Sequence, residues 1–168
     1  AYWDLVTTDI EEALEILRPV YDASDGEDGH VSVEVAPSLA HDTAGTLAAA
    51  EHLHHRIGEP NLYVKIPGTA AGLAAIRDAV TAGINVNVTL LFSLERYDAV
   101  IEAYLTGLER RQGPVNHVTS VASFFVSRVD VEVDKRLEAI GTDAALALKG
   151  KAAVANAQLA YELFTQRF

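Results

Sequence analysis

The chain has no cysteine, so no disulfide bond stabilises it, and this composition fits a cytoplasmic location. It also lacks any apolar run long enough to cross a bilayer, so no membrane partner is expected. Basic residues are few, because 13 lysines and arginines stand against 24 acidic residues and give a net charge of −11. That charge argues against a nucleic-acid partner, which requires a basic face. An anionic substrate would need a local cationic pocket.

The residues that are present suffice for one folded domain. Hydrophobic residues make up 49% of the 168 residues and charged residues 22%, as in soluble globular proteins. Apolar alternation and turn signals predict four strands, at 31–35, 62–66, 84–90 and 118–126, separated by helices. Strands that alternate with helices are typical of βαβ units, so the sequence predicts an α/β fold with a parallel sheet.

Capping and breaking signals predict the limits of the helices. Thr8 and Glu11 match a capping box, so the first helix is expected to begin at Thr8, and Pro19 together with Ser24-Asp25-Gly26 is expected to end it. Asp42 or Thr43 caps the second helix, and Ser93 caps the fourth. The later helices are predicted at about 43–57, 69–82, 93–111 and 128–140, with a last alanine-rich helix from 143 to the end of the chain.

The first three predicted strands each have one apolar and one polar face. In the third, Ile84, Val86, Val88 and Leu90 oppose Asn85, Asn87 and Thr89. Central strands of an open sheet with helices on both faces would be apolar on both faces, whereas a barrel has helices outside and polar faces inside. A (β/α)8 barrel needs eight strands. The sequence therefore predicts a partial TIM barrel of about four β/α units, with residues 1–168 as one domain and an internal segment of a larger barrel.

Five polar side chains are predicted near the carboxyl ends of these strands, where (β/α)8 enzymes perform their chemistry. They are Glu34, Lys65, Asn87, Thr89 and Ser123. A lysine amine can attack a ketone and form a Schiff base once it is neutral, and enclosure in a barrel favours the neutral form of an amine. Glu34 and the Thr89 hydroxyl can move protons through a water. Asn87 and Ser123 can bind substrate hydroxyls.

Plainer interpretations compete with these roles. Lys65 and Glu34 can form an ion pair of purely structural importance inside the barrel. Arg128 can hold a phosphate, or it can be a surface charge at a helix start. Asn85 and Asn87 can both be hydrogen-bonding residues of the core, and this interpretation is preferred for Asn85.

No metal or cofactor is expected from the sequence. His52, His54 and His55 lie on one predicted helix, but no nearby carboxylate or cysteine set completes a metal site, so a solvated helix face is expected. No glycine-rich phosphate loop of the dinucleotide or P-loop kind is present.

Four sequence stretches resemble successive strand motifs of the transaldolases. These are Val-Ser-Val-Glu-Val at 31–35, Val-Lys-Ile-Pro at 64–67, Gly-Ile-Asn-Val-Asn-Val-Thr-Leu-Leu-Phe-Ser at 83–93 and Ser-Phe-Phe-Val-Ser-Arg-Val at 123–129. The resemblance extends over nearly the whole chain, including 17–22 and 39–43. The long helical insert between the third and fourth strands resembles the larger, actinobacterial-type members.

The resemblance implies an activity and a set of roles. Lys65 would be the Schiff-base lysine, with Glu34 and Thr89 holding the catalytic water. Asn87 and Ser123 would contact the dihydroxyacetone part of the substrate, and Arg128 is the residue that would contact its phosphate. The reaction would transfer a three-carbon ketol unit between sugar phosphates in the pentose phosphate pathway, without metal or cofactor.

One departure from the family pattern concerns bond cleavage. The first family strand carries an acid/base aspartate in an Asp-Pro-Thr-Thr-Asn-Pro-like stretch, and nothing in this sequence matches it. The span therefore resembles strands three to six of the barrel, with two open parallel edges that invite self-association. Two alternatives remain open: another Schiff-base aldolase of the same fold, or a half barrel that is catalytically incomplete and acts as a structural unit.

Overall fold

A computed structural model describes residues 2–168, in which strands alternate with helices as the sequence predicts. The elements are α1 (Tyr2–Ala23), β1 (Val31–Glu34), α2 (Thr43–Ile57), β2 (Leu62–Pro67), α3 (Ala70–Ala82), β3 (Val86–Leu91), α4 (Leu94–Arg110), β4 (Ser120–Phe124), α5 (Ser127–Ile140), α6 (Asp143–Leu146) and α7 (Ala152–Arg167), with a 3-10 turn at Pro37–Leu39. Among these described residues, no helix is both long and apolar enough to cross a membrane.

The four strands form one parallel sheet in the order β1-β2-β3-β4, which confirms the predicted α/β class. Its register places Glu34 beside Lys65 and Lys65 beside Asn87. Within the described residues, β1 and β4 form the two ends of the sheet. Side chains that the alternation assigns to one face therefore do lie side by side on neighbouring strands.

One face of the sheet, which we call the helix-covered face, forms the hydrophobic core. Val64, Ile66, Val86 and Val88 are all 0% exposed there, packed in one cluster with apolar residues of α2, α3 and α4. Burying one such side chain contributes about 1.5–3 kcal/mol, so this face supplies most of the driving force for folding. The opposite face, the polar face, carries the hydrophilic residues of the same strands.

Side-chain caps fix where the three helices that follow β1, β2 and β3 begin. The Asp42, Thr69 and Ser93 side chains each accept a hydrogen bond from a backbone N–H three residues further on. Such a cap satisfies one of the donors that a helix start leaves unpaired. Thr69 and Ser93 come directly after β2 and β3, and Asp42 follows the 3-10 turn after β1, so the caps also help to fix the connections at the carboxyl ends of these strands.

Helices α3 and α4 pack closely because Gly107 has no side chain at their contact. A Cβ atom at Gly107 would lie 2.7 Å from the Arg77 carbonyl oxygen, too near for any other residue. The Thr81 hydroxyl donates to the Gly107 carbonyl at 3.2 Å across the same contact. Both helices contribute apolar residues to the core cluster over the helix-covered face.

The predicted start of the first helix is wrong and Pro19 does not end it, whereas the predicted stop at Ser24-Asp25-Gly26 agrees with a helix that ends at Ala23. Helix α1 already begins at Tyr2, and the Thr8 hydroxyl donates to the Asp4 carbonyl inside the helix instead of capping its start. Pro19 lies within the helix, which continues to Ala23. Proline removes one helical hydrogen bond, and Arg18 beside it bonds to Asp22 and to Glu59, which helps to hold the last turns in place.

The predicted face of Leu90 is also wrong. Between Val88 and Leu91, β3 advances three residues while β4 advances two, from Ala122 to Phe124, so β3 contains a bulge. Leu90 occupies the bulge with φ +61° and is 39% exposed, whereas Leu91 enters the core at 0%. A positive φ is strained for a residue such as leucine.

The last helix is interrupted, where the sequence predicted one continuous element. Helix α6 ends at Leu146 and α7 begins at Ala152. Gly150 lies between them with φ +69°, and its N–H donates to the Asp134 carboxylate at 3.0 Å. The Asp130 carboxylate accepts from the Ala153 N–H at 3.0 Å. Two acidic residues of α5 thus hold the break and the start of α7.

Candidate active site

An ion pair occupies the carboxyl ends of β1 and β2 on the polar face. Lys65 Nζ lies 3.6 Å from Glu34 Oε2. The two side chains are 29% and 47% exposed, so a ligand can reach both. The pair has the geometry that either sequence interpretation requires, a proton-transfer pair or a structural ion pair. Exposed ion pairs contribute only about 0–1 kcal/mol to stability, so stability alone gives little reason for a lysine here.

A chain of hydrogen bonds lies beside this pair on the same face. Asn87 Nδ2 donates to Ser32 Oγ at 3.1 Å, and Ser123 Oγ donates to Asn87 Oδ1 at 2.7 Å. Ser32, Asn87 and Ser123 stand on β1, β3 and β4, so the first of these bonds crosses β2. In a flat sheet, strands two apart are separated by about 9–10 Å. A direct bond over that span is expected where the sheet curves toward its polar face, as in a barrel wall.

Thr89 lies at the same end of the sheet but is enclosed. It is 3% exposed and faces Pro67 in the register of β2 and β3. Its carbonyl accepts from the Gly68 N–H at 2.8 Å, which joins the ends of the two strands. The structure thus brings Thr89 to the same end of the sheet as Lys65 and Asn87, with less access to solvent.

Arg128 lies further along the chain, at the start of α5. Its guanidinium carbon is 4.5 Å from the centre of the Phe125 ring, and Phe125 stacks on Phe92 at 5.1 Å. A guanidinium that stacks on an aromatic ring keeps its edge N–H groups available for a carboxylate or a phosphate. The arginine is exposed, so both sequence interpretations, a phosphate ligand or a surface charge, fit its position.

The amino ends of the strands carry a different set of groups. The Tyr63 hydroxyl bonds to Thr119 Oγ1 at 2.7 Å, and the Tyr63 ring lies 4.5 Å from the His30 ring. Burial raises the pKa of Tyr63 and lowers the pKa of His30. Asn85 Oδ1 accepts from the Thr119 N–H at 3.0 Å, so Asn85 is a structural hydrogen-bonding residue as predicted, but it is half-buried and lies outside the hydrophobic core. We call His30, Tyr63, Asn85 and Thr119 the amino-end cluster.

The loops beyond the carboxyl ends are tied to each other. The Thr69 hydroxyl donates to the Ala40 carbonyl at 2.6 Å, and the Thr43 hydroxyl donates to the Ala71 carbonyl at 2.7 Å. The first bond joins the loop after β1 to the loop after β2, and the second joins the first turn of α2 to the first turn of α3. They hold the two strands that carry Glu34 and Lys65 in a fixed relation.

Sequence reasoning missed one member of the site, Ser32. Alternation places it on the polar face of β1, two residues before Glu34, so the signal for its face was present. Its partner Asn87 lies two strands away, and only the curvature of the sheet brings the two side chains together. We call Ser32, Glu34, Lys65, Asn87 and Ser123 the carboxyl-end cluster.

The three neighbouring histidines of α2 differ in their surroundings. His52 and His55 are exposed, as predicted, while His54 is half-buried and its ring lies 5.6 Å from that of His55. Burial lowers the pKa of His54. Within residues 2–168, no group of three histidine, aspartate or glutamate side chains is placed to hold a metal ion.

A separate cleft of about 350 Å³ lies between α1 and α2, away from Lys65. Trp3, Val35 and Leu53 are among the residues that line it, and Arg56 lies at its wall. Most of the lining is apolar, and none of the predicted site residues contributes to it. The predicted site residues therefore all lie outside this cleft.

Comparison with known proteins identifies relatives over almost the whole chain. Residues 1–167 match the family described as transaldolase/fructose-6-phosphate aldolase. Transaldolase 1 of Streptomyces avermitilis is 58% identical over 167 residues, which are 98% of this chain and 44% of that protein. The transaldolase of an Arthrobacter species is 54% identical over 169 residues, 99% of this chain and 46% of that protein. The transaldolase of Thermobifida fusca is 56% identical over 163 residues, 95% and 44% of the respective chains. The chain thus spans less than half the length of these relatives.

Proposed function

Because this chain belongs to the transaldolase/fructose-6-phosphate aldolase family, we propose that it carries the Schiff-base centre of a transaldolase. The observation that supports this most directly is the placement of Lys65. Its amine lies at the carboxyl end of a barrel-type strand, partly open to solvent and 3.6 Å from a carboxylate. An amine at such a place can attack a ketone, and an adjacent carboxylate can take up and return the protons.

In the proposed reaction, the Lys65 amine attacks the carbonyl carbon of a ketose phosphate. The resulting carbinolamine loses water and leaves an imine on Lys65. The neutral amine adds to the carbonyl, Glu34 accepts a proton from the positively charged nitrogen of this first adduct, and Glu34 returns a proton to the departing hydroxyl, with Thr89 helping to hold the water that relays it. General acid–base assistance of this kind contributes about 10²–10⁴-fold to a rate.

The remaining predicted residues bind the sugar phosphate in this proposal. The Asn87 amide and the Ser123 hydroxyl contact hydroxyl groups of the dihydroxyacetone part. Arg128 binds the phosphate, and its stacking on Phe125 supports this role because the guanidinium is held in place before the anion arrives. A local cation also offsets the net charge of −11 that repels an anionic substrate.

We propose that the four strands are the third to sixth of a (β/α)8 barrel, since the matched relatives are more than twice as long as the matched region. The aspartate motif expected for carbon–carbon cleavage is absent from this sequence. The 168-residue chain should therefore form the imine with fructose 6-phosphate but retain the whole ketose. Borohydride reduction followed by intact mass would then show a six-carbon rather than a three-carbon adduct.

The transfer activity itself is tested by product analysis with and without an acceptor. Fructose 6-phosphate and erythrose 4-phosphate are incubated with the chain and with a version extended to the length of its relatives. We expect glyceraldehyde 3-phosphate from the extended protein when the acceptor is present. Release of product without an acceptor would favour the alternative, a Schiff-base aldolase. An extended protein that forms neither product nor adduct would contradict both and favour the structural half barrel.

The two end strands also remain candidates for association. Unpaired strand edges bind other strands readily, so we propose that β1 and β4 pair with further barrel strands, either from a longer chain or from a second copy. Sedimentation of the 168-residue chain tests this, because a monomer at high concentration would contradict pairing between copies. A cytoplasmic location rests on the cysteine-free composition and stays a prediction.

A further inference from the structure

The side chain of Asn87 is held from two sides by serines of different strands. Ser123 Oγ donates to Asn87 Oδ1 at 2.7 Å, and Asn87 Nδ2 donates to Ser32 Oγ at 3.1 Å. Asn87 is also the register partner of Lys65 on β2. The amide therefore extends across β2 on the face from which the Lys65 amine projects.

Neither serine alone would fix the plane of this amide. The torsion that turns an asparagine amide joins a tetrahedral to a planar carbon, and its energy profile is broad. A single hydrogen bond leaves that rotation open, whereas two bonds at opposite ends of the amide restrict it. The bonds to Ser32 and Ser123 use one N–H and one lone pair, and an amide has two of each. A second N–H and a second lone pair then point in fixed directions and can meet a ligand.

We infer that Ser32 is a positioning residue for the ketose site: its hydroxyl holds the Asn87 amide across β2 and so sets the direction in which Asn87 meets the substrate bound at Lys65. Ser32 acts through Asn87 and is assigned no contact with the reacting atoms. The consequence for substrate binding rests on the proposed function, whereas the anchoring of Asn87 is a property of the folded chain.

Two variants of Ser32 separate positioning from simple packing. Ser32→Ala removes the hydroxyl, and Ser32→Thr keeps it on a residue that suits a strand. Ser38→Ala serves as the matched control because Ser38 is exposed on the 3-10 turn. Circular dichroism establishes that each variant is folded.

The first measurement follows the side-chain amide of Asn87 in ¹⁵N-labelled protein, with its signals assigned through Asn87→Asp. We expect Ser32→Ala to shift these signals and to speed their exchange with solvent, and Ser32→Thr and Ser38→Ala to leave them in place. Unchanged Asn87 signals in Ser32→Ala would overturn the inference.

The second measurement is the concentration of fructose 6-phosphate that gives half-maximal adduct on borohydride reduction. In Ser32→Ala, the loss of one net hydrogen bond should raise this half-saturating concentration about fivefold. The maximal trapping rate should change less than twofold, and Ser32→Thr should restore the wild-type value. Amide signals that move without any change in half-saturation, or a Ser32→Thr variant as impaired as Ser32→Ala, would overturn the inference. If the wild type forms no adduct, the proposed function fails, and the amide signals alone then decide whether Ser32 anchors Asn87.

Discussion

The polar face of the sheet has two ends with contrasting chemistry. At the carboxyl ends of the strands, the Lys65 and Glu34 side chains are 29% and 47% exposed and carry opposite charges. At the amino ends, Tyr63 is 6% exposed and its hydroxyl bonds to Thr119. The carboxyl-end cluster keeps its ionic groups open to a ligand, whereas the amino-end cluster encloses aromatic rings and neutral hydrogen bonds.

The two ends of the polar face show that one feature of the sequence determines the face on which a side chain lies and another determines its role. Alternation along a strand decides whether a residue lies on the polar face, as it does for both Tyr63 and Lys65. Position along the strand decides whether the residue meets the open loop end or the closed end. Substitutions in the carboxyl-end cluster should therefore change the chemistry, and substitutions in the amino-end cluster should change the free energy of unfolding.

The largest effect is expected from Lys65→Met, which should abolish the borohydride-trapped adduct completely. The free energy of unfolding should change by less than about 1 kcal/mol, because only an exposed ion pair is lost. Intact mass and urea denaturation measure the two quantities, with Lys151→Met as the matched control. An adduct that persists in Lys65→Met would show that Lys65 is not the residue that forms the imine.

Glu34→Gln should slow adduct formation about 100-fold while leaving the adduct on Lys65, since an amide cannot take up the proton. The time course of trapping at saturating fructose 6-phosphate measures this rate. Glu27→Gln, an exposed acidic residue in the turn before β1, is the control. If Glu34→Gln traps the ketose at the wild-type rate, the ion pair is structural and not a proton-transfer pair.

Tyr63→Phe should lower the free energy of unfolding by about 1 kcal/mol, since it removes one hydrogen bond from the amino-end cluster. The trapping rate should stay unchanged. A double-mutant cycle with Thr119→Val isolates the contribution of the Tyr63–Thr119 bond. Loss of trapping in a folded Tyr63→Phe variant would break the contrast between the two ends of the face.

The smallest effect is expected from the pH dependence of His30. Burial lowers its pKa in the folded protein from the ordinary value of 6.5, although Asp28 partly opposes the shift. As the pH falls below about 6.5, the unfolded chain takes up the proton first, so the free energy of unfolding decreases.

Urea denaturation of the wild type and of His30→Phe, at pH values from about 7.5 to about 5, measures this dependence. The variant should show a weaker dependence, and His54→Phe should remove a further part because burial lowers the pKa of His54 too. An identical pH profile in His30→Phe and the wild type would show that His30 is not enclosed in solution.

Local signals predicted a large part of this arrangement. Asp42 and Ser93 cap their helices as expected, because a cap depends only on the residues that follow it. Alternation placed Lys65 and Asn87 on one face, because the side-chain period of a strand is fixed. These features need no knowledge of distant parts of the chain.

The features that failed depend on contacts between elements. Thr8 carries a capping pattern, but its hydroxyl bonds within a helix that has already begun. The exposure of Leu90 depends on how β3 pairs with β4, because β3 advances three residues there while β4 advances two. The bond between Ser32 and Asn87 depends on the curvature of the sheet across β2. No pattern within a single strand reports how β3 pairs with β4 or how the sheet curves.

The central claim is that the ketose forms its imine on Lys65, and peptide mapping of the trapped adduct tests it most directly. The chain offers four lysines, at positions 65, 135, 149 and 151. After incubation with fructose 6-phosphate, reduction with borohydride and proteolysis, we predict the added mass on the peptide that contains Lys65 alone. An adduct spread over the peptides of Lys135, Lys149 and Lys151, or absent from that of Lys65, would contradict the account.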